Sequence, residues 1–268
     1  MPRRVLVTGV TGRMGSAVVR ALRSDVRFQL AGGTARPGSS LAGQDIGALS
    51  GGGPLGALVF EDPSQASAEA RPEVVIDFSH PDSTGEWADV CARTGTALVV
   101  GTTGLSGAIR ERLDRAARSA PVVLSPNMSV GINVLLDVAS HLVRVLGESW
   151  DVEVLDLHHR QKRDAPSGTA LRLAEVLARA AGRDASAFRL ARAGEVGPRP
   201  AGEIGVQTLR GGDVVGEHTV FFLSDGERIE VTHRASSREQ FARGAIRAAA
   251  WVGVQEPGLY TMQDVLGL

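Results

Sequence analysis

Residues 158–170 read HHRQKRDAPSGTA, which places two histidines, a lysine and two arginines within six positions, ahead of a run of small and hydroxylated residues. Histidine and lysine supply or take protons near neutral pH, and cationic side chains hold carboxylates through charge-assisted hydrogen bonds. Asp164, Ala165 and Pro166 have the composition of a helix entry, with Pro166 near the first helical position. Ser167, Gly168 and Thr169 would then offer exposed backbone N–H groups. A helix N-terminus behind His158, His159, Arg160 and Lys162 is an anion site, and its expected ligand is a small acid with one or two carboxylates. His158 and Lys162 are the candidates for moving the proton that accompanies a hydride when a C=C or C=N bond is reduced. A basic strand end can also be a plain solvated edge; that explains single charges, but not their conjunction with a helix entry.

A second cluster matches a hydride source. VLVTGVTGRMG puts Gly9, Gly12 and Gly15 between a β-branched run and an amphipathic segment, where glycine lets backbone approach a pyrophosphate held at a helix N-terminus. The spacing is GxxGxxG rather than GxGxxG, and a tight strand-to-helix turn needs glycine with or without a ligand. After the next strand-like run, GGTARPGSS offers no acid to a ribose hydroxyl but offers Arg36 to a 2′-phosphate, so NADPH is expected over NADH. Arg36 is otherwise a solvated loop residue. GTTG at 101–104 follows the strand-like TALVV and suits the nicotinamide end of a dinucleotide, or a plain turn.

These residues need a scaffold. The first half alternates short apolar runs (RRVLVTG, FQLAGGT, EVVIDFS, TALVVG, PVVLS) with helical patterns near 13–23, 83–93 and 106–119. Buried strands separated by amphipathic helices predict a Rossmann-type, doubly wound parallel sheet. Residues 35–56 are Gly-, Ser- and Pro-rich and aperiodic, which predicts a long mobile loop. Beyond 127 the pattern becomes a long helix, a strand at 151–157, a helix at 167–181, and three strand-like runs, EIGVQTLR, GEHTVFFLS and ERIEVTHRA. The intervening Gly/Asp turns suit antiparallel hairpins, so a second α+β domain with a mainly antiparallel sheet is expected. A last amphipathic helix at 237–252 is expected to return to the first domain, giving a dinucleotide domain of residues 1–127 completed by 238–268 and a substrate domain of 128–237.

Composition narrows the function classes. With 268 residues, 43% hydrophobic and 22% charged, the chain can bury one large core or two smaller ones. The formal net charge of -1 makes the basic cluster local and argues against nucleic acid. One cysteine, Cys91, precludes an intramolecular disulfide and fits a reducing compartment, so a cytoplasmic location is expected. The apolar stretch after Arg3 and Arg4 reaches only Gly9, too short for a signal sequence, and the run from Met128 carries Asp137, His141 and Arg144, so no membrane association is expected. His80, His141, His218 and His233 are scattered, and no metal is expected.

GVTGRMG, DFSHPD, GTTGLS, SPNMSVGIN, HHRQKRDAPSGTAL, GEIGVQTLRGGDVVGEHTV and ERIEVTHRASSREQFARGAIRAAAWV occur in this order. Together they closely resemble the motifs of the 4-hydroxy-tetrahydrodipicolinate (dihydrodipicolinate) reductase family over nearly the whole chain. The resemblance implies NAD(P)H-dependent reduction of a cyclic unsaturated dicarboxylate to tetrahydrodipicolinate, in the diaminopimelate route to lysine. It implies that His158 is the proton donor/acceptor and Lys162 a proton donor, with His159, Gly168 and Thr169 binding substrate beside Ser167. Gly9, Val10, Thr11, Gly12, Arg13, Met14, Arg36, Gly101, Thr102, Thr103, Ser125, Pro126, Asn127 and Met128 match cofactor contacts. It also implies a homotetramer built through the sheet of the second domain. Many members carry an acid where this chain has Ala35, which removes the NADH hydroxyl contact and leaves NADPH preferred, with NADH possible.

Three other readings compete. TGVTGRMG also resembles the turn of extended short-chain dehydrogenases, which need Tyr and Lys four residues apart; the single tyrosine is Tyr260, and position 264 is Asp264. A semialdehyde dehydrogenase needs a cysteine nucleophile, whereas Cys91 lies on a helical face suited to an inert buried thiol. A non-catalytic dinucleotide-binding redox sensor would not require His158 and Lys162.

Overall fold

The computed structural model describes residues 1–51 and 53–268. From the N-terminus, β1 (Arg3–Thr8), α1 (Arg13–Arg23), β2 (Phe28–Thr34), α2 (Ile46–Leu49) and β3 (Leu58–Phe60) lead into α3 (Pro63–Ala70), β4 (Val74–Asp77) and α4 (Pro81–Thr94). Then come β5 (Ala97–Val100), α5 (Gly107–Ala116), β6 (Pro121–Leu124), α6 (Val130–Leu146), β7 (Asp151–His158) and α7 (Gly168–Ala180). The chain continues through β8 (Phe188–Arg189), β9 (Ile204–Arg210), β10 (Gly216–Ser224) and β11 (Glu227–Ala235), and closes with α8 (Glu239–Val252), β12 (Gly258–Tyr260) and α9 (Met262–Leu266). It divides into two compact units, Met1–Val130 with Arg238–Leu268, and Gly131–Ser237.

In the first unit, seven strands among the described residues pair in the order β12-β6-β5-β4-β1-β2-β3, and every ladder is parallel. All four residues of β4 and of β5 are buried, which is why β5 and the first three residues of β4 read as unbroken apolar runs rather than alternating ones. One face is covered by Ala17, Val18 and Leu22 of α1 with Ala245, Ala249 and Val252 of α8. The other is covered by Trp87 and Cys91 of α4 with Ile109 and Leu113 of α5. Strand order reverses between β1 and its neighbours β2 and β4, the position where doubly wound sheets open a crevice at their carboxyl ends. Both predicted cofactor turns, after β1 and after β5, lie at that end.

Residues 35–56 are more ordered than their composition predicts, although Gly52 lies outside the described residues. Asp45 caps α2 by accepting from Ala48 N at 3.0 Å, and it also accepts from Leu55 N at 3.0 Å and Gly56 N at 2.7 Å. One carboxylate thus supplies the fixed geometry that the absence of hydrophobic periodicity concealed.

In the second unit the order is β11-β10-β7-β9-β8. α6 and α7 cover one face, packing Ile132, Leu136, Leu173 and Leu177 against Val152, Val154, Val206, Val220 and Phe222. β10 and β11 form the expected antiparallel hairpin, but the hairpin expected between β9 and β10 does not form. β7 lies between them, antiparallel to β10 and parallel to β9, and β8 is parallel to β9, so the sheet is mixed. The GGD turn signal marks a reversal of chain direction; it does not say that the two strands become neighbours.

Candidate active site

β7 carries Asp156 and His158, two residues apart and therefore on one face of the strand. Asp156 has no exposed surface. Its Oδ2 accepts from Ser167 N at 2.8 Å and from Arg210 Nη2 at 3.1 Å. Its Oδ1 lies 2.8 Å from His158 Nδ1 and 3.3 Å from His218 Nε2, as charge contacts rather than well-aligned hydrogen bonds. His218 is brought there by register, directly opposite Asp156 in the β7–β10 ladder. Its ring meets that of His158 edge-on, with centroids 5.2 Å apart, and its Nε2 lies 3.2 Å from Ser167 Oγ. A side chain at Gly216 would begin 2.9 Å from His158 Nε2, so glycine leaves the imidazole its space.

Burial alone would raise the Asp156 carboxyl, but contacts with His158 and His218 and the Ser167 amide outweigh it and hold the group well below the ordinary carboxylate range. His218 moves the other way for a histidine: burial favours its neutral form more strongly than Asp156 favours its charged one. We take Asp156 as ionised because the Arg210 guanidinium and the Ser167 amide hold its charge whatever the state of the rings.

Lys162 sits in the turn beyond β7, its side chain 22% exposed, with Nζ 2.8 Å from Asp164 Oδ1. That contact holds Asp164 below the usual carboxylate range. Arg210 joins the two halves of the site, donating to the Asp164 carbonyl at 2.6 Å with the same Nη2 that reaches Asp156. His159 is half-buried, and its carbonyl accepts the Lys162 amide at 3.1 Å.

The helix entry differs in detail from expectation. Pro166 precedes the cap rather than occupying the first helical position, and Ser167 is the N-cap, its Oγ accepting from Ala170 N at 3.2 Å. The Ser167 amide is not open to an anion, because Ser167 is buried and that N–H is spent on Asp156. Exposed Gly168 and half-buried Thr169 form the outward part of the helix start.

In the first unit, Gly9 takes a left-handed φ of 58° and its carbonyl accepts Gly12 N at 2.9 Å, while a Cβ on Gly15 would overlap that same carbonyl. Gly12 caps α1 with no side-chain hydrogen bond; its neighbours Thr11 and Arg13 are exposed, as is Arg36 after β2, with Met14 half-buried and Val10 in the core. This donor set fits a dinucleotide pyrophosphate and a further phosphate. Ala35, at the end of β2, is buried and offers no carboxylate. At the other predicted turn, Thr103 is exposed, but Thr102 is buried and its hydroxyl donates to Asp77 at 2.8 Å. Asp77 also accepts from Ser79 and Thr84 hydroxyls, each at 2.5 Å, and from Thr8, so one buried carboxylate ties the ends of β1 and β4 to Gly101–Thr103. Ser125 is buried and donates to the Asn127 carbonyl at 2.9 Å; Pro126 is exposed and the Met128 side chain belongs to the core.

Among the described residues, Asp156, His158 and His218 also form a group whose ligand atoms lie within 4.8 Å of one another. Arg210 on the same carboxylate sets a fixed positive charge against any metal ion there. Cys91 is buried, and burial pushes its thiol far up, which suits packing and not nucleophilic attack. No helix of the described residues is long and apolar enough to cross a membrane.

Sequence reasoning singled out His158, Lys162 and the α7 entry but missed Asp156, His218, Arg210 and Asp77. The DLHH spacing could have exposed Asp156. His218 and Arg210 depend on which strands flank β7, and that order was misread.

Comparison with known proteins matches residues 3–128 to the family described as dihydrodipicolinate reductase, N-terminus, and residues 131–266 to its C-terminus. The chain is 54% identical over 264 residues to a 4-hydroxy-tetrahydrodipicolinate reductase of Myxococcus xanthus, covering 98% of this chain and 97% of the relative. It is 50% identical over 267 residues to the protein of that name from Chromohalobacter salexigens, covering 99% and 98%. In fold it is similar to a dipicolinate-bound dihydrodipicolinate reductase from Paenisporosarcina sp. TG-14, with TM-score 0.79, 20% identity, and 98% and 99% of the two chains covered. An amine dehydrogenase from Mycobacterium smegmatis gives TM-score 0.63 at 15% identity over 98% and 95%.

Proposed function

Starting from the fact that the chain belongs to the dihydrodipicolinate reductase family, we propose how its own residues carry out the NAD(P)H-dependent reduction of dihydrodipicolinate to tetrahydrodipicolinate. This reaction serves the diaminopimelate pathway of lysine biosynthesis. The observation that carries the proposal is the convergence of His158, Lys162 and the α7 entry, through Asp156, Asp164 and Arg210, on one end of the second unit's sheet.

NAD(P)H, when bound, supplies the hydride. Gly9–Gly15 and Arg13 hold its phosphates, and Arg36, with no acid beside it, favours NADPH over NADH. Gly101–Thr103 and Ser125–Met128 line the rest of the cofactor site, with Thr102 and Met128 supporting it from beneath. The substrate carboxylates lie at His159, Gly168 and Thr169, where the helix start and neighbouring cations offset their charge. Reduction adds a hydride and a proton across one unsaturated ring bond. Lys162 Nζ gives that proton, and His158 donates or accepts protons beside it.

We further propose self-association through the open face of the five-stranded sheet and, from its lone buried cysteine, a cytoplasmic setting. Self-association is supported by β7, whose Val152, Val154 and Asp156 are buried while Leu155 and Leu157 are only half-buried, and by Leu209 of β9, which is 51% exposed.

The test is NADPH oxidation in the presence of the condensation product of pyruvate and aspartate semialdehyde. Oxidation that depends on this product is expected. Its absence, with NADPH binding intact, would favour the sensor reading.

A further inference from the structure

The reduction proposed above uses two parts of the second unit that come from different places in the chain, the imidazole at the end of β7 and the start of α7. Something must hold them in register. Asp156 touches both, with Oδ1 against His158 and Oδ2 accepting the amide of Ser167. It is wholly buried and carries no exposed oxygen to offer a substrate. Its remaining contacts brace the same two parts: His218 packs edge-on to His158 while reaching Ser167 Oγ, and Arg210 reaches across to the Asp164 carbonyl beside Lys162.

We infer that Asp156 is the positioning residue of this reaction, a buried carboxylate that fixes the His158 imidazole and the anion-binding start of α7 relative to each other, with His218 and Arg210 as its braces. It does not exchange a proton with substrate. This inference rests on the functional reading above. Its chemistry follows from the contacts: a carboxylate can accept from an amide and a guanidinium with one oxygen while the other faces two ring nitrogens with negative charge, whereas an amide in its place must turn an NH2 group towards one of these partners.

The experiment compares the full-length protein with its Asp156→Asn and Asp156→Glu forms. For Asp156→Asn, kcat/KM for the dicarboxylate is expected to fall at least tenfold while KM for NADPH stays within twofold. Asp156→Glu, which keeps the charge, should recover part of the loss. Binding of dipicolinate, an unreactive dicarboxylate, should weaken at least tenfold in Asp156→Asn by calorimetry, and the imidazole NMR signals of both His158 and His218 should move. Equal turnover and equal dipicolinate binding in the two proteins would overturn the inference. If wild-type protein binds dipicolinate but does not oxidise NADPH with the natural substrate, the functional reading fails, and the binding and ring-signal comparison still decides the role of Asp156. Should Asp156→Asn fail to fold, His218→Gln removes one brace and leaves the carboxylate: weaker dipicolinate binding with unchanged NADPH binding supports the inference, and unchanged dipicolinate binding opposes it.

Discussion

The Thr102 hydroxyl donates to the buried carboxylate of Asp77 at 2.8 Å while accepting the Ser79 amide at 3.0 Å, so a residue of a supposed ligand-binding turn spends its polar group inside the protein. Thr102→Val keeps the shape and removes both bonds. It should destabilise the fold by about 1–3 kcal/mol, as expected when buried polar groups lose a partner, and weaken NADPH binding because Gly101–Thr103 is no longer pinned. Chemical denaturation checks the first effect and fluorescence titration the second; an unchanged denaturation midpoint would contradict it.

Arg36 is exposed, and its neighbour Ala35 is buried. Wild-type protein should therefore show higher kcat/KM with NADPH than with NADH. Arg36→Ala should reduce the NADPH value by about tenfold to a hundredfold, the worth of a charge-assisted hydrogen bond, and barely change the NADH value. Steady-state kinetics with both nucleotides decides it, and equal losses would remove Arg36 from phosphate recognition.

Lys162 is held by Asp164 at 2.8 Å, with nearly four-fifths of its side chain covered. Lys162→Ala should lower kcat by about 10²–10⁴-fold, the range for a lost proton donor, with NADPH affinity unchanged. Turnover that survives the substitution would move the proton role elsewhere.

Glu153 gives a pH prediction. Burial alone would raise its carboxyl, but hydrogen bonds from Arg192 and Arg199 overcome burial and hold it below the ordinary value. Because the folded-state value is depressed, the stabilisation is fully present above the unfolded-state value of about 4.3 and fades as pH falls through the folded-state value. Glu153→Gln should therefore cost about 1–3 kcal/mol at pH 7, with the gap from wild type closing below about pH 4. Denaturant titrations across pH measure this, and a gap that stays constant down to pH 3 would exclude it.

Much of the fold was legible because β5 and the first three residues of β4 are buried on both faces and so appear as plain apolar runs, and because α1 and α8 carry clear apolar stripes. A local cluster was legible too: His158, Lys162 and the α7 entry are contiguous in sequence. What stayed hidden was non-local. His218 faces Asp156 only because β10 pairs with β7, and Arg210 faces His158 only because β9 runs parallel to β7. Turn residues report where a chain reverses, whereas strand neighbours are set by pairings between segments far apart in sequence. Asp45 and Asp77 were hidden for a related reason: each organises backbone or hydroxyl groups that periodicity does not register.

Residues 131–237 form one uninterrupted unit, whereas the other unit takes Ala242, Ala245, Ala249, Val252, Met262 and Val265 into its core from the far end of the chain. Translation runs from the N-terminus, and domains ordinarily fold as they emerge. Here the insert is fully synthesised while the apolar face of α1 still awaits α8, so the unit begun first is the one finished last.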